Sequence, residues 1–225
     1  PKSGTMFDLP VAVGIMTALA KIPKEAVEGT LLLGELGLSG ELKPVKGVLP
    51  IVREAARRGV RRCILPVRNA WEGALIQEVE SIGMEDIHST ISFLMGEESE
   101  NTGVCHGNPV NLETIMRQED ENKTLDFADI SGQEGLKRAA EVAAAGFHHL
   151  LIIGPPGSGK TMLARRLPTI LPPLSLEESL EVSTIYSISG LLQSASSLKT
   201  SRPFLNPHHT ITGGTLAGGG RVPAP

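Results

Sequence analysis

The chain has 225 residues, a net charge of −4, 40% hydrophobic and 3% aromatic residues, and a pI of about 5.9. That is room for one or two domains around an aliphatic core, and the acidic balance removes any global electrostatic case for nucleic acid or an anionic membrane, leaving a local basic face open. Two cysteines, Cys63 and Cys105, in no CxxC or Cys/His spacing argue against a disulfide framework or a zinc site.

In chain order, the first prediction is a buried helix over 9–20, an apolar run rich in small residues. Leu31 to Glu35 and Glu41 to Pro44 read as two short strands around the Gly37–Gly40 turn. From Pro50, Ile51, Val52, Ala55 and Ala56 alternate with arginines in an amphipathic helix that Gly59 ends. Val60 to Leu65 reads as a strand holding Cys63 as a small buried hydrophobe, Asn69 as the cap of a helix over Ala70–Glu80, and His88 to Leu94 as a last strand. These elements make a first α/β domain over 1–97. Residues 98–124 turn polar and read as a linker, with a short helix at Leu112–Gln118. A second α/β pattern occupies 125–225: a helix over Gly132–Ala145, a buried strand over His149–Ile153, a loop, and a helix over Lys160–Leu167. No apolar stretch approaches the roughly 18 residues of a membrane span, and no signal peptide precedes the chain, so a cytoplasmic protein is the expectation. The Pro1 start and the Gly/Pro-rich stop at Pro225 are expected to be cut ends.

Gly154-Pro155-Pro156-Gly157-Ser158-Gly159-Lys160-Thr161 fits the P-loop (Walker A) pattern G-x-x-x-x-G-K-[ST], between an apolar run and a helical one. Its glycines free the backbone to aim successive N–H groups at one anion, and the following helix adds its positive end. Lys160 is placed to reach β/γ-phosphate oxygens, and Thr161 offers a hydroxyl to Mg²⁺. The expected ligands are therefore a nucleoside triphosphate and Mg²⁺, ATP on the resemblance given next. The motif is silent on what the energy drives.

Around this loop, Asp129-Ile130-Ser131-Gly132-Gln133-Glu134 and the residues after it resemble the opening of an AAA+ module. The stretch from Gly132 to Leu174 is similar to the magnesium-chelatase-like AAA+ ATPases of bacteria, the ComM/YifB family, and 202–220 resembles that family's insert in the second helix of the core. Upstream, 4–19 and 31–50 resemble its Lon-protease-like, ribosomal S5 domain 2-like domain. The resemblance implies a partial Lon-like domain followed by a partial P-loop domain with a parallel sheet. It places Ile130 against the adenine. It also implies a ring-forming, hexameric ATPase linked to DNA processing, including branch migration, with no membrane partner. The alternatives are a chelatase-type motor inserting metal into a porphyrin and a nucleotide-switched regulatory module. The family's acidic Walker B strand, sensors and arginine finger would follow residue 225, so no catalytic residue is assigned and the expectation is binding without hydrolysis.

Lon-like proteases use a Ser/Lys dyad. By resemblance the nucleophile position falls on Met6 and the lysine position on Leu49, and neither side chain can attack a carbonyl or move a proton. Ser3 and Lys46 are each offset by three residues, so proteolysis is not expected. Arg53, Arg57, Arg58, Arg61 and Arg62 form a basic cluster, read as a solvated helix surface or a contact for nucleic acid or an acidic partner. His208-His209 is expected to be structural or part of a pore loop, since adjacent strand residues point apart. His148-His149 reads as packing. Gly213, Gly214 and Gly218–Gly220 mark a loop or tight hairpin.

Overall fold

The structure, a computed structural model, describes residues 5–97, 105–106, 125–192, 198–208 and 210–213. Ser3, the Leu112–Gln118 helix, His209, Gly214 and Gly218–Gly220 lie outside them. The described chain divides into two compact units, the first from 5–97, 105–106 and 183–192, the second from 125–182, 198–208 and 210–213. Among the described residues no helix is long and apolar enough to cross a membrane.

The first unit runs α1 (Asp8–Ala18), α2 (Lys24–Val27), β1 (Thr30–Leu32), β2 (Glu35–Leu36), β3 (Leu42–Lys43), α3 (Val48–Arg57), β4 (Arg62–Pro66), α4 (Ala70–Gly73), β5 (Glu80–Met84), α5 (Ile87–Met95) and β6 (Cys105–His106). β1, β4 and β5 pair in parallel and β6 adds antiparallel, in the order β1-β4-β5-β6. Successive strand residues face opposite sides. Ile64 and its neighbours Cys63 and Leu65 are all fully buried, so both faces of β4 are covered, as parallel sheets require. On one face Ile64, Ile82 and Met84 pack with Leu9 and Val13 of α1 and Leu94 of α5. On the other, α4 presses so close that a Cβ on Gly73 would sit 2.6 Å from Leu65 Cδ1 and 2.5 Å from Ser81 Oγ.

Several expectations are corrected. α1 buries Leu9 and Val13 but exposes Phe7, Val11 and Ile15 beside them, so it is covered on one face rather than all round. β1 pairs with β4, and the glycine-turn hairpin is the shorter β2–β3. Residues 88–94 form helix, not strand: Asp86 Oδ1 accepts the Ser89 N–H at 2.7 Å and Gly96 closes the end with φ +74°, a pair of caps that brackets α5. The strand lies just upstream, in β5, and the helix expected over Ala70–Glu80 is the short α4, Ala70–Gly73. Asn69 caps nothing. Its amide pairs with the Val45 backbone, Oδ1 accepting from N at 2.9 Å and Nδ2 donating to O at 3.0 Å.

The second unit contains the 3-10 turn Phe127–Asp129, α6 (Glu134–Ala145), α7 (Lys160–Arg166), the 3-10 turn Leu167–Ile170 and the start of α8 (Leu176–Ser189). Phe127, Ile130, Ala140 and Leu163 form its core cluster, joined by Leu150 and Ile152. The expected strand over 149–153 joins no ladder among the described residues, since extended chain becomes strand when a neighbour pairs its N–H and C=O groups. Its burial still alternates: Leu150 and Ile152 pack inward, whereas Leu151 and Ile153 are 84% and 87% exposed.

From Ser183 on, α8 belongs to the first unit. Ser187 donates its hydroxyl to the buried Glu72 carboxylate, which also accepts the Leu49 N–H at 3.0 Å and Asn69 Nδ2 at 3.3 Å. Three donors meet the requirement of a carboxylate taken out of water.

Candidate nucleotide site

The loop 154–159 leaves the Leu150–Ile152 segment and turns into α7. Gly157 and Gly159 have φ of +80° and +84°, a region where side chains are strained, and the space where their Cβ atoms would lie is open. The Ser158 N–H bonds Pro155 O at 3.3 Å, closing the turn, and Leu163 N–H bonds Gly159 O at 2.9 Å, starting the helix. The N–H groups of the first helical residues lack intrahelical acceptors, as at any helix start. Lys160 Nζ lies across the loop, donating to Gly154 O at 2.8 Å, Pro155 O at 2.6 Å and Ser158 Oγ at 3.2 Å. Gly154, Pro155, Pro156, Gly157 and Gly159 are exposed, as is Thr161 at the second helical position. An exposed glycine turn, a lysine over its mouth and a hydroxyl beside it suit a triphosphate with its divalent ion.

Ile130 is buried, packed with Phe127, Ala140 and Leu163. The backbone after it turns sharply: Gly132 and Gln133 are both left-handed, with φ of +67° and +56°. A left-handed glutamine is uncommon. Asp126 and Asp129 cap each other's turn, Asp126 Oδ1 accepting the Ala128 N–H at 2.8 Å and Asp129 Oδ2 the Asp126 N–H at 3.2 Å. The same Asp129 Oδ2 accepts from the Arg166 guanidinium, 3.4 Å from Nε and 3.3 Å from its terminal nitrogen. Thr169 Oγ1 accepts the Phe127 N–H at 3.1 Å and donates to Arg166 O at 2.8 Å. Sequence reasoning singled out 129–134 but missed Arg166 and Thr169, because a pairing 37 residues apart carries no local signal.

The other candidates fall apart from this loop. Arg202 donates to Pro172 O at 2.9 Å and to Glu178 at 3.3 Å, and stacks 5.5 Å from the Phe147 ring centroid. With the Ser179 hydroxyl on Lys199 O at 2.6 Å, this anchors the start of the 202–220 segment. Glu178 is held below the usual carboxylate range, first by the Ser175 N–H and also by Arg202. His208 Nδ1 lies 2.8 Å from Thr210 Oγ1. His148 and His149 are exposed rather than packed. In the basic cluster, Arg62 points inward, donating to Ala26 O and Thr30 Oγ1 and lying over Phe93, whereas Arg57, Arg58 and Arg61 are exposed, Arg58 pairing with Glu54 at 2.8 Å. Among the described residues no group of three or more His, Cys, Asp or Glu could hold a metal ion. Leu49 is fully buried, and Met6 O accepts the Gly34 N–H at 3.0 Å.

Two family models match the chain: magnesium chelatase, subunit ChlI, over 126–225, and subunit ChlI of Mg-chelatase over 1–69. The chain is similar to the uncharacterized protein YifB of Salmonella typhimurium, 39% identical over 227 residues covering 100% of this chain and 42% of YifB. It is 36% identical over 227 residues to the competence protein ComM of Haemophilus influenzae, covering 100% of this chain and 43% of ComM. Over 80 residues, 36% of this chain and 17% of the relative, it is 32% identical to the DNA repair protein RadA of Listeria monocytogenes. The chain thus spans about two-fifths of the length of the full-span curated relatives.

Proposed function

The chain belongs to the ComM/YifB family of magnesium-chelatase-like proteins, and from that membership we propose that it is the ATP-binding part of an AAA+ motor acting on DNA. The observation that carries the nucleotide reading is the loop itself: two left-handed glycines ahead of Lys160, whose ammonium lies over the loop carbonyls. Gly154 to Thr161 would hold the phosphates, with Lys160 exchanging carbonyl acceptors for phosphate oxygens and Thr161 meeting the Mg²⁺. The bound ion would neutralise phosphate charge.

Replacing Lys160 by Ala removes one charge-assisted hydrogen bond, about 1.5–3 kcal/mol, and should weaken ATP–Mg²⁺ binding by about one to two decades. Calorimetric titration of both proteins measures it, and equal affinities would reject this site.

DNA as the substrate draws on the relatives named as competence and DNA repair proteins. A hexameric ring is proposed on the family's account. A second reading, metal insertion into a porphyrin, has its own support, since both matching family models carry the name magnesium chelatase. Anisotropy of labelled four-way DNA, with and without ATP–Mg²⁺, separates them. ATP-dependent DNA binding is expected. No DNA binding together with ATP-dependent capture of a porphyrin would move the assignment to the second reading.

A further inference from the structure

We propose that the exposed arginines at the end of α3, Arg57, Arg58 and Arg61, form a surface on the first unit that grips the phosphate backbone of duplex DNA, an inference that rests on the DNA reading proposed above. The sequence concentrates positive charge here. Five arginines and a single acid, Glu54, fall within residues 53–62, in a chain whose net charge is −4.

The fold sorts the five. Arg53 and Arg62 are partly buried, and Arg62 spends its guanidinium on Ala26 O and Thr30 Oγ1. Val48, Leu49, Val52 and Ala55 bury one face of α3, which leaves the arginines of its end in solvent. Gly59, left-handed at φ +78°, turns the chain out of the helix, its N–H bonding Ala56 O at 2.9 Å while the Val60 N–H bonds Ala55 O at 3.0 Å. Arg61 follows with its backbone pinned, N–H on Gly29 O at 3.3 Å and O accepting the Glu80 N–H at 2.9 Å. Three cationic arms thus leave a backbone fixed on both sides of the turn, and a fixed frame lowers the ordering cost of binding. The negative end of the helix dipole accounts for Arg57 and Arg58 but not for Arg61, which lies beyond the helix.

The chemistry selects the partner. A guanidinium meets phosphate oxygens through two N–H groups at once and is more weakly hydrated than an ammonium. Arg58 is engaged by Glu54 at 2.8 Å, but with side chains 75% and 50% exposed that pair is screened and exchangeable. A protein partner takes an apolar or aromatic anchor at the centre of its interface. Among the described residues no large hydrophobic between Leu38 and Met95 is exposed, so this face offers charge and hydrogen bonds without an anchor. Trp71 and Phe93 are not exposed either, and without an open ring for base stacking the contact is with the backbone and indifferent to sequence.

The test is fluorescence anisotropy of a labelled duplex of arbitrary sequence, titrated with the full chain and ATP–Mg²⁺ over a range of salt. Arg57→Gln and Arg61→Gln should each weaken binding about three- to fivefold and flatten the dependence of log affinity on log salt by about one unit, the mark of a lost phosphate contact. Arg57→Lys, which keeps the charge, should retain most of that slope. Glu54→Gln frees the Arg58 guanidinium and should tighten binding, a gain that damage to the fold would not give. ATP–Mg²⁺ affinity should be the same in all four variants. Unchanged duplex affinity and slope in both glutamine variants overturns the surface. So does labelled poly-glutamate binding that depends on these arginines when duplex binding does not, which would assign the face to an acidic protein. If the unaltered protein binds no duplex at any salt, the DNA reading itself fails, so the two failures are distinguishable.

Discussion

The two units are built on opposite plans. The first surrounds a sheet whose central strand is covered on both faces, with Ile64, Leu65, Ile82 and Met84 essentially sealed from water. The second keeps a small core of Phe127, Ile130, Ala140 and Leu163, and presents its glycine loop, Leu151 and Ile153 to solvent. In the first, contacts between strands distant in sequence hold the backbone in place. In the second, a turn, a helix start and a few side-chain ties do so. Regions with few buried apolar contacts and exposed loops open at low cost. On the proposed nucleotide reading, the loop exchanges its lysine's carbonyl acceptors for phosphate oxygens, a rearrangement that such a region permits.

The sharpest way to break that comparison is to cut the first core. Ile82→Ala removes three carbons from a fully buried position packed with Ile64 and Leu9. The expected loss is about 2–5 kcal/mol, read as a lowered midpoint in urea unfolding. A loss below about 1 kcal/mol would mean that the sheet is not the stable centre of the molecule.

A smaller effect is expected at the cap of α5. Asp86 is held below the usual carboxylate range, chiefly because the Ser89 N–H donates to it, with the Ser89 hydroxyl and His88 adding to the shift against some burial. A depressed folded value means that the carboxylate stabilises the fold fully above its unfolded pKa of about 3.9, and that this is lost as pH falls through the lower folded value. Asp86→Ala should cost about 1 kcal/mol at pH 7, and the gap from the unaltered protein should close in acid. A gap independent of pH between 7 and 2 would remove the charge from the explanation.

These two sites also show what was legible in the sequence. The loop at Gly154–Thr161 could be read because its residue types are fixed by local backbone geometry. α3, β4, α6 and α7 could be read from apolar period and glycine stops such as Gly59. The β5–α5 stretch could not. Ser81 to Met84 is short and turns Gly83 into the sheet, while 88–94 alternates closely enough to pass for a strand. Asp86 and Gly96 bracket the helix, and reading them as caps would have corrected the assignment of 88–94. Asn69 misled for a different reason: a residue suited to capping was taken up by the Val45 backbone, 24 positions away. Asp129 with Arg166 and Phe127 with Thr169 meet by tertiary contact, which no local pattern encodes.

The smallest expected effect is the most pointed test of the contrast between units. Leu151 and Ile82 are both aliphatic residues in extended chain, but Leu151 is 84% exposed and Ile82 fully buried. Leu151→Thr keeps a side chain suited to extended backbone while removing apolar surface that is already in water, so no cavity forms and no partner is lost. Its cost should lie within about 0.5 kcal/mol, against several for Ile82→Ala. Leu150 serves as the internal control. It is the adjacent residue in the same segment but faces the Phe127 cluster, so Leu150→Thr should cost clearly more than Leu151→Thr. The measurement is the shift in unfolding midpoint for the two variants in the same buffer and protein concentration. If Leu151→Thr costs as much as Leu150→Thr, both faces of the segment are covered in solution. The second unit would then share the two-sided burial of the first.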